Sequence, residues 1–452
     1  MRVIAVLVMI LPIITFVKYC NRNQLMSPIN VFTLLYFIRI LIPTVLYADR
    51  DIARQISVDY VRNAVLNDSD YLVYALLQTF GYFLVIFGTK LVIKKTNSYD
   101  SVLQCDNQIE DIDANYDHYL VWGIICTLIG VIDFFLIIQK VGGLMYFFTR
   151  LQYRAIMLRD VDVLSWLLIF LHYGPLMIVY SLRGKGRKVG VFLICLIVVC
   201  GFMCGLGGRK TMIVMLVECL FIYHYTVKPI KIRNFLKFKY ILLVAGVLAF
   251  FTVMVQFRTE GVMETFLENP LFFLKQQGSS GFDLTIFTKE SYVAYFITVI
   301  HYFKNHSFWL GKSLLGIFTA FIPSSLYHGK PPVDDGMYLY SICMGREDIM
   351  PLMPTSSLNT TSFPLETFGS MYANFGGLGV VIGMILLGMI INWAYKRMIQ
   401  NGCRFVDVVI YTQILLSFEL SSLRIFQTIE VFIMLSVIMF FVDRIRLSIG
   451  RR

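Results

Sequence analysis

Three stretches gather side chains that could act together. Pro364-Leu365-Glu366-Thr367-Phe368-Gly369-Ser370-Met371-Tyr372-Ala373-Asn374-Phe375-Gly376-Gly377 carries Glu366, Tyr372 and Asn374 at spacings that can line one helical face. An ionisable group at the rim of a helix bundle is more often functional than decorative. His328-Gly329-Lys330-Pro331-Pro332-Val333-Asp334-Asp335 offers His328 and Asp335 as alternative bases and Lys330 as an anion ligand. The plainer reading of that stretch is a solvated turn. Cys204-Gly205-Leu206-Gly207-Gly208-Arg209-Lys210-Thr211 is not a nucleotide-binding glycine loop, because its spacing differs. It does set a tight turn and unpaired helix N–H groups beside Arg209 and Lys210, an arrangement that suits phosphate; a plain helix hairpin is the alternative.

The chain that must position these groups is 57% hydrophobic, 15% charged and 15% aromatic, with a mean hydropathy of +0.70 over 452 residues. That usage excludes an ordinary soluble globule and predicts an all-α membrane protein. Apolar runs fall at 3–17, 31–47, 71–93, 119–138, 163–181, 189–206, 211–226, 240–256, 374–395, 405–422 and 430–443. They predict about eleven spans, since each is near the length needed to cross the hydrocarbon core. No strand-period alternation competes with them. Met1 to Val17 lacks a small-x-small cleavage site before Lys18 and reads as a retained helix.

The net charge of +11 reflects Lys and Arg concentrated in alternate short loops, the positive-inside pattern, and no nucleic-acid partner is expected. It places the amino terminus outside, the carboxyl terminus inside and the long polar segment on the outer face. Three parts follow: residues 1–257 with eight spans, 258–373 as a large outer loop, and 374–452 with the last three spans. Inside the loop, 286–303 and 313–327 are aromatic-rich and read as interfacial helices. The nine cysteines form no C-x-x-C pair, so no metal site, no cofactor and no disulfide framework is expected.

Several cations break the charge rule. Arg150, Arg154, Arg209 and Lys210 fall on the side to which basic residues are poorly exported, and Arg258 and Arg424 border the same face. Either an anion compensates them, or they snorkel to head groups and, for Arg150 and Arg154, pair with Asp160 and Asp162. Arg39 lies inside the second run, where a charge needs a partner or an aqueous cavity.

The layout of apolar runs, Gly207-Gly208-Arg209-Lys210 opening a helix, Ile322-Pro323 followed by Lys330-Pro331, and Leu365-Glu366 through Tyr372-Ala373-Asn374-Phe375-Gly376 together resemble the Wzy-type O-antigen or oligosaccharide repeat-unit polymerases. The resemblance implies a GT-C-like helical bundle in the bacterial inner membrane. It implies a glycosyltransferase that moves a growing glycan from undecaprenyl diphosphate to the next lipid-linked repeat unit, with a chain-length regulator and a flippase as partners. On that reading Arg209, Lys210 and Arg258, helped by Arg150, Arg154 or Arg424, clamp the diphosphate, and Glu366 is the base ahead of Asp335 and His328. A flippase for the same lipid-linked oligosaccharide and a ligase that transfers finished glycan are the alternatives.

Overall fold

The computed structural model describes residues 1–19, 26–91, 116–158, 161, 166–183, 191–230, 268–269, 292–322, 326–359 and 361–445; at 17–19, 152, 155, 156, 191, 209 and 210 only the backbone is considered. The described residues form helices and no strand. Five helices are long and apolar enough to cross a membrane: α2 (Pro28–Ala48), α4 (Asp68–Leu91), α5 (Asp117–Val141), α11 (Thr367–Gln400) and α13 (Ser422–Arg444). Shorter apolar helices occupy other predicted spans, namely α1 (Arg2–Tyr19), α6 (Leu168–Tyr180), α7 (Val191–Cys204), α8 (Arg209–Ile222) and α12 (Phe405–Ser417). The predicted span at 240–256 lies outside the described residues. The loop between α2 and α4 carries α3 (Asp59–Leu66), and the long polar segment adds α9 (Tyr292–Tyr302) and α10 (Gly336–Cys343).

Side-chain contacts separate the two ends of this bundle. At one, the Arg2 guanidinium donates to the carbonyls of Tyr47 and Val65 at 2.7 and 2.8 Å and to Asp68 at 2.8 Å. At the other, Arg183 donates to the carbonyls of Gly402 and Cys403, and the Trp122 indole to the carbonyl of Ile445. The described residues of the long polar segment gather at the Arg2 end, hereafter the loop end, where His301 and Lys304 reach Asp70 and Ser69. Helices α4 and α11 touch backbone to backbone, where a Cβ on Gly88 or Gly388 would run into the carbonyl of Ile385 or Val85. Glycine permits that approach, and dispersion between the backbones replaces the missing side chains.

Two elements differ from the sequence expectation, and both bear on function. Helix α11 is broken at Gly376, whose φ of 63° and ψ of −149° lie where a Cβ is costly. The carbonyls released by the break are satisfied by N–H groups of the loop: Trp309 donates to Ala373 at 2.9 Å and Leu310 to Asn374 at 2.8 Å. The arm before Gly376 folds back on the arm after it. Met371 lies over Gly379 and Gly383, and Phe368 and Met384 meet the same face of Gly81. In a straight helix residues 368 and 384 would stand about 24 Å apart. The short arm therefore begins midway along the bundle and climbs to the loop end, so the sequence boundary at 373–374 cuts through a helix that is already inside.

The second difference is α9. The segment read as an interfacial helix at 286–303 yields a helix from Tyr292 to Tyr302 whose residues from Val293 to Ile300 are buried. It is apolar on every face, and such a helix is driven inward rather than laid on a surface. Its far end meets α4, where His301 Nδ1 lies 2.7 Å from Asp70 Oδ2 and Lys304 pairs with the same carboxylate. Its ring of Phe296 touches Phe368 and Tyr372, so α9 and the short arm of α11 climb side by side. The stretch around 313–327, by contrast, presents Phe318 and Leu326 outward.

Candidate functional site

Where α9 and the short arm of α11 begin, charged groups from four elements meet. Arg39 sits on a π-helical turn, Phe37–Leu41, in the middle of α2, with Tyr36 against Tyr82 on one side and Thr44 against Tyr74 on the other. Such turns widen a helix by one residue and recur at functional sites. Nine residues of α2 separate Arg39 from Ala48, a depth of about 13 Å. Its guanidinium lies 4.8 Å from the centre of the Tyr292 ring and donates to the Tyr292 hydroxyl at 3.0 Å. The Oε1 atom of Glu419, just past α12, stands 4.0 Å from Arg39 Nη2. Its Oε2 atom lies 3.4 Å from Nε of Arg424, which also donates to Gln427 at 2.7 Å.

Glu366 caps the short arm of α11 in position but leaves its side chain unused as a cap. It borders a cavity of about 80 Å³ lined also by Tyr36, Arg39, Thr367, Ile391 and Glu419. Arg39, Glu419 and Arg424 are the charged side chains within electrostatic reach of its carboxyl. A carboxylate set among such groups can act as a proton acceptor. The first intrahelical bond of this arm is the one Ser370 N–H donates to Glu366, so the N–H groups of Thr367, Phe368 and Gly369 precede it and favour negative charge at this end. The Thr367 hydroxyl accepts from Leu420 N–H at 3.0 Å, which ties the α12–α13 turn to this point.

The structure joins some of the sequence candidates to this cluster and places others elsewhere. Glu366 and Arg424 are in it, with Arg39. Asp335 is within electrostatic reach of Glu419, and burial, reinforced by Asp334, pushes its carboxyl up to about 7 against a 3.0 Å bond from Ser370. Asn374 is 0% exposed; its oxygen accepts from Gly311 N–H and Ser313, and its amide donates to the Ser370 carbonyl and Ser313. It fastens the loop to the broken helix. Tyr372 packs its ring between Phe296 and Phe308. His328 is exposed on a turn, and Lys330 donates to the carbonyls of Ala320 and Ile322 at 2.8 and 2.9 Å, with burial lowering its ammonium below the usual lysine value.

Arg154 belongs to the glycine hairpin, whereas Arg150 is exposed. Arg154 donates to the carbonyls of Gly205 and Leu206 at 3.2 and 3.3 Å, and Arg150 lies 4.4 Å over the ring of Tyr146. Arg209 and Lys210 open α8, as expected, with Gly208 as its cap. Helix α8 is in register with α12 through Glu218 and Gln413, 2.6 Å apart. Arg258 lies outside the described residues.

Tyr292 and Glu419 were not singled out from sequence. Glu419 had a signal, being an acidic residue five positions before Arg424 in a turn between two apolar runs; Tyr292 had none among many aromatics. Among the described residues no group of three or more His, Cys, Asp and Glu side chains could hold a metal ion. No protein-family model matches the chain, and no curated protein or solved structure matches it either.

Proposed function

We propose that this protein is a membrane glycosyltransferase that lengthens a glycan carried on undecaprenyl diphosphate, joining repeat units of O-antigen or a related surface polysaccharide. In this reading it is a GT-C-like bundle of about eleven spans in the bacterial inner membrane, with the loop end on the outer face. One observation carries the reading: at the start of a helix arm the Glu366 carboxyl and the Arg39 guanidinium border one cavity walled mostly by apolar side chains, with Glu419 between Arg39 and Arg424.

Each part has a task in the transfer. Arg39 and Arg424 hold the diphosphate and stabilise the charge that builds on it as the glycosidic bond breaks, with Arg209 and Lys210 at the start of α8 as further phosphate ligands. Guanidinium groups suit this work because they stay charged and match phosphate oxygens in pairs. Glu366 takes the proton of the acceptor hydroxyl. The enclosed setting makes each of these interactions stronger than it would be in water. Asp335 and Asn374 act through the loop they anchor rather than by touching substrate.

A transporter for the same lipid-linked glycan is favoured by a different feature. Two short helix arms begin midway along the bundle with their amino ends toward one charged cavity, an arrangement also used by carriers of anions. Purified protein in vesicles separates the two. Lengthening of a lipid-linked repeat unit with no ion gradient, and its loss in Arg39→Ala, supports transfer; translocation without any lengthening would overturn it. A ladder of products, rather than a single transfer, distinguishes a polymerase from a ligase.

A further inference from the structure

Among the described side chains the cluster contains more carboxyls than guanidiniums. There Arg39 and Arg424 are the cations, and Glu366, Glu419 and Asp335 are the acids within reach of one another. Glu419 is gripped from both sides, by Arg39 at 4.0 Å and by Arg424 at 3.4 Å, and Asp335 accepts a hydrogen bond from Ser370. Glu366 is the acid whose carboxyl no such bond or short ion pair claims, and it opens on the cavity. The groups around it are Arg39 and Tyr36 from α2, Tyr74 from α4, Tyr292 from α9, Glu419 from the α12–α13 turn and Arg424 from α13.

A buried site tolerates little uncompensated charge, since removing it from water costs several kcal/mol or more. Transfer raises the charge on the diphosphate. The glycosidic C–O bond breaks with its electron pair passing to the diphosphate oxygen, and the acceptor oxygen bonds to the sugar carbon and loses a proton. If that proton lands on Glu366, one negative charge disappears as another appears, and the cavity's charge is unchanged.

We infer that the product diphosphate and the Glu366 proton are held together, so that this site binds a polyprenyl diphosphate only with uptake of one proton at Glu366, and release of the carrier requires that proton to leave. The inference rests on the reading of the cluster as the diphosphate site, and it extends that reading by assigning a proton-linked release step. Glutamine at position 366 imitates the protonated carboxyl, so it should free binding from pH while abolishing transfer.

The test uses the full-length protein in lipid nanodiscs and farnesyl diphosphate as the probe, with affinity measured by calorimetry between pH 7 and 9. The last ionisation of such a phosphate lies near roughly 6, so the ligand itself changes little over this range. Wild-type affinity should fall by up to about tenfold per pH unit, the limit for one linked proton. Glu366→Gln should bind with no such slope, and Asp335→Asn should keep the slope. A flat wild-type profile, an unchanged slope in Glu366→Gln, or no binding by the wild type overturns the inference. Should Glu366→Gln not fold, Glu366→Asp serves: it must move the midpoint of the pH profile, and a profile identical to wild type overturns the inference as well. Loss of lengthening in Arg39→Ala alongside pH-independent binding by the wild type would remove the proton linkage and leave the transferase reading standing.

Discussion

Among the described residues two sets of ionisable groups within this bundle contrast in how they are built. His172, Glu218 and Gln413, from α6, α8 and α12, form a closed set: Glu218 is 0% exposed and both its oxygens are bonded at 2.6 Å, to His172 and to Gln413. Arg39, Glu366, Glu419 and Arg424 form an open one, with ion pairs of 4.0 and 3.4 Å around a cavity. A closed set has spent its hydrogen-bonding capacity on holding helices in register. An open set keeps capacity for something that arrives.

That contrast is broken most sharply at Glu366. Glu366→Gln should reduce glycan lengthening by about 100-fold or more, the ordinary worth of a general base, with little loss of thermal stability. Retention of long chains would place the base elsewhere.

Glu218→Ala should do the reverse. It leaves His172 and Gln413 without their shared acceptor deep in the bundle, at a cost of about 3–5 kcal/mol, seen as a lower melting temperature and poor yield. Glu218→Gln should recover part of the stability. Full stability in Glu218→Ala would mean that the closed set does not hold the helices.

Asn374→Ala comes next. It strips two acceptor contacts from the loop at Gly311 and Ser313, worth about 1–3 kcal/mol as buried groups lose partners. Proteolysis of the 303–315 region should quicken while affinity for farnesyl diphosphate changes little. Arg150→Ala should have the smallest effect, within roughly 0.5 kcal/mol, because the side chain is exposed and rests only on Tyr146.

The sequence made several of these features legible. Arg39 stood out as a charge within an apolar run, Glu366 as an acid before one, and Gly205 to Gly208 as a turn ahead of a helix. What hydropathy could not convey was direction. Residues 367 to 375 are aromatic and small, and an averaging window gives the same answer for a surface loop and for an arm folded back into the bundle. The two glycines at 376 and 377 mark a possible break, but only Met371 resting on Gly379 and Gly383 reveals that the chain reverses there. Tyr292 to Tyr302 misled for a related reason: with Lys289 and Glu290 just ahead, its run looked interfacial, whereas burial on all faces by α3, α4 and α11 decided the outcome. Glu419 was obscured because an acid in a turn is usually solvated, and its role depends on Arg39, far away in sequence.

The site's identity turns on where a diphosphate rests. An electron cryo-microscopy structure of the full-length protein with farnesyl diphosphate should place its phosphates between Arg39 and Arg424, within hydrogen-bonding distance of at least one guanidinium and next to Glu366. Phosphates found only at the exposed Arg150 or on the loop surface, with the Arg39 cavity unchanged, would contradict the account.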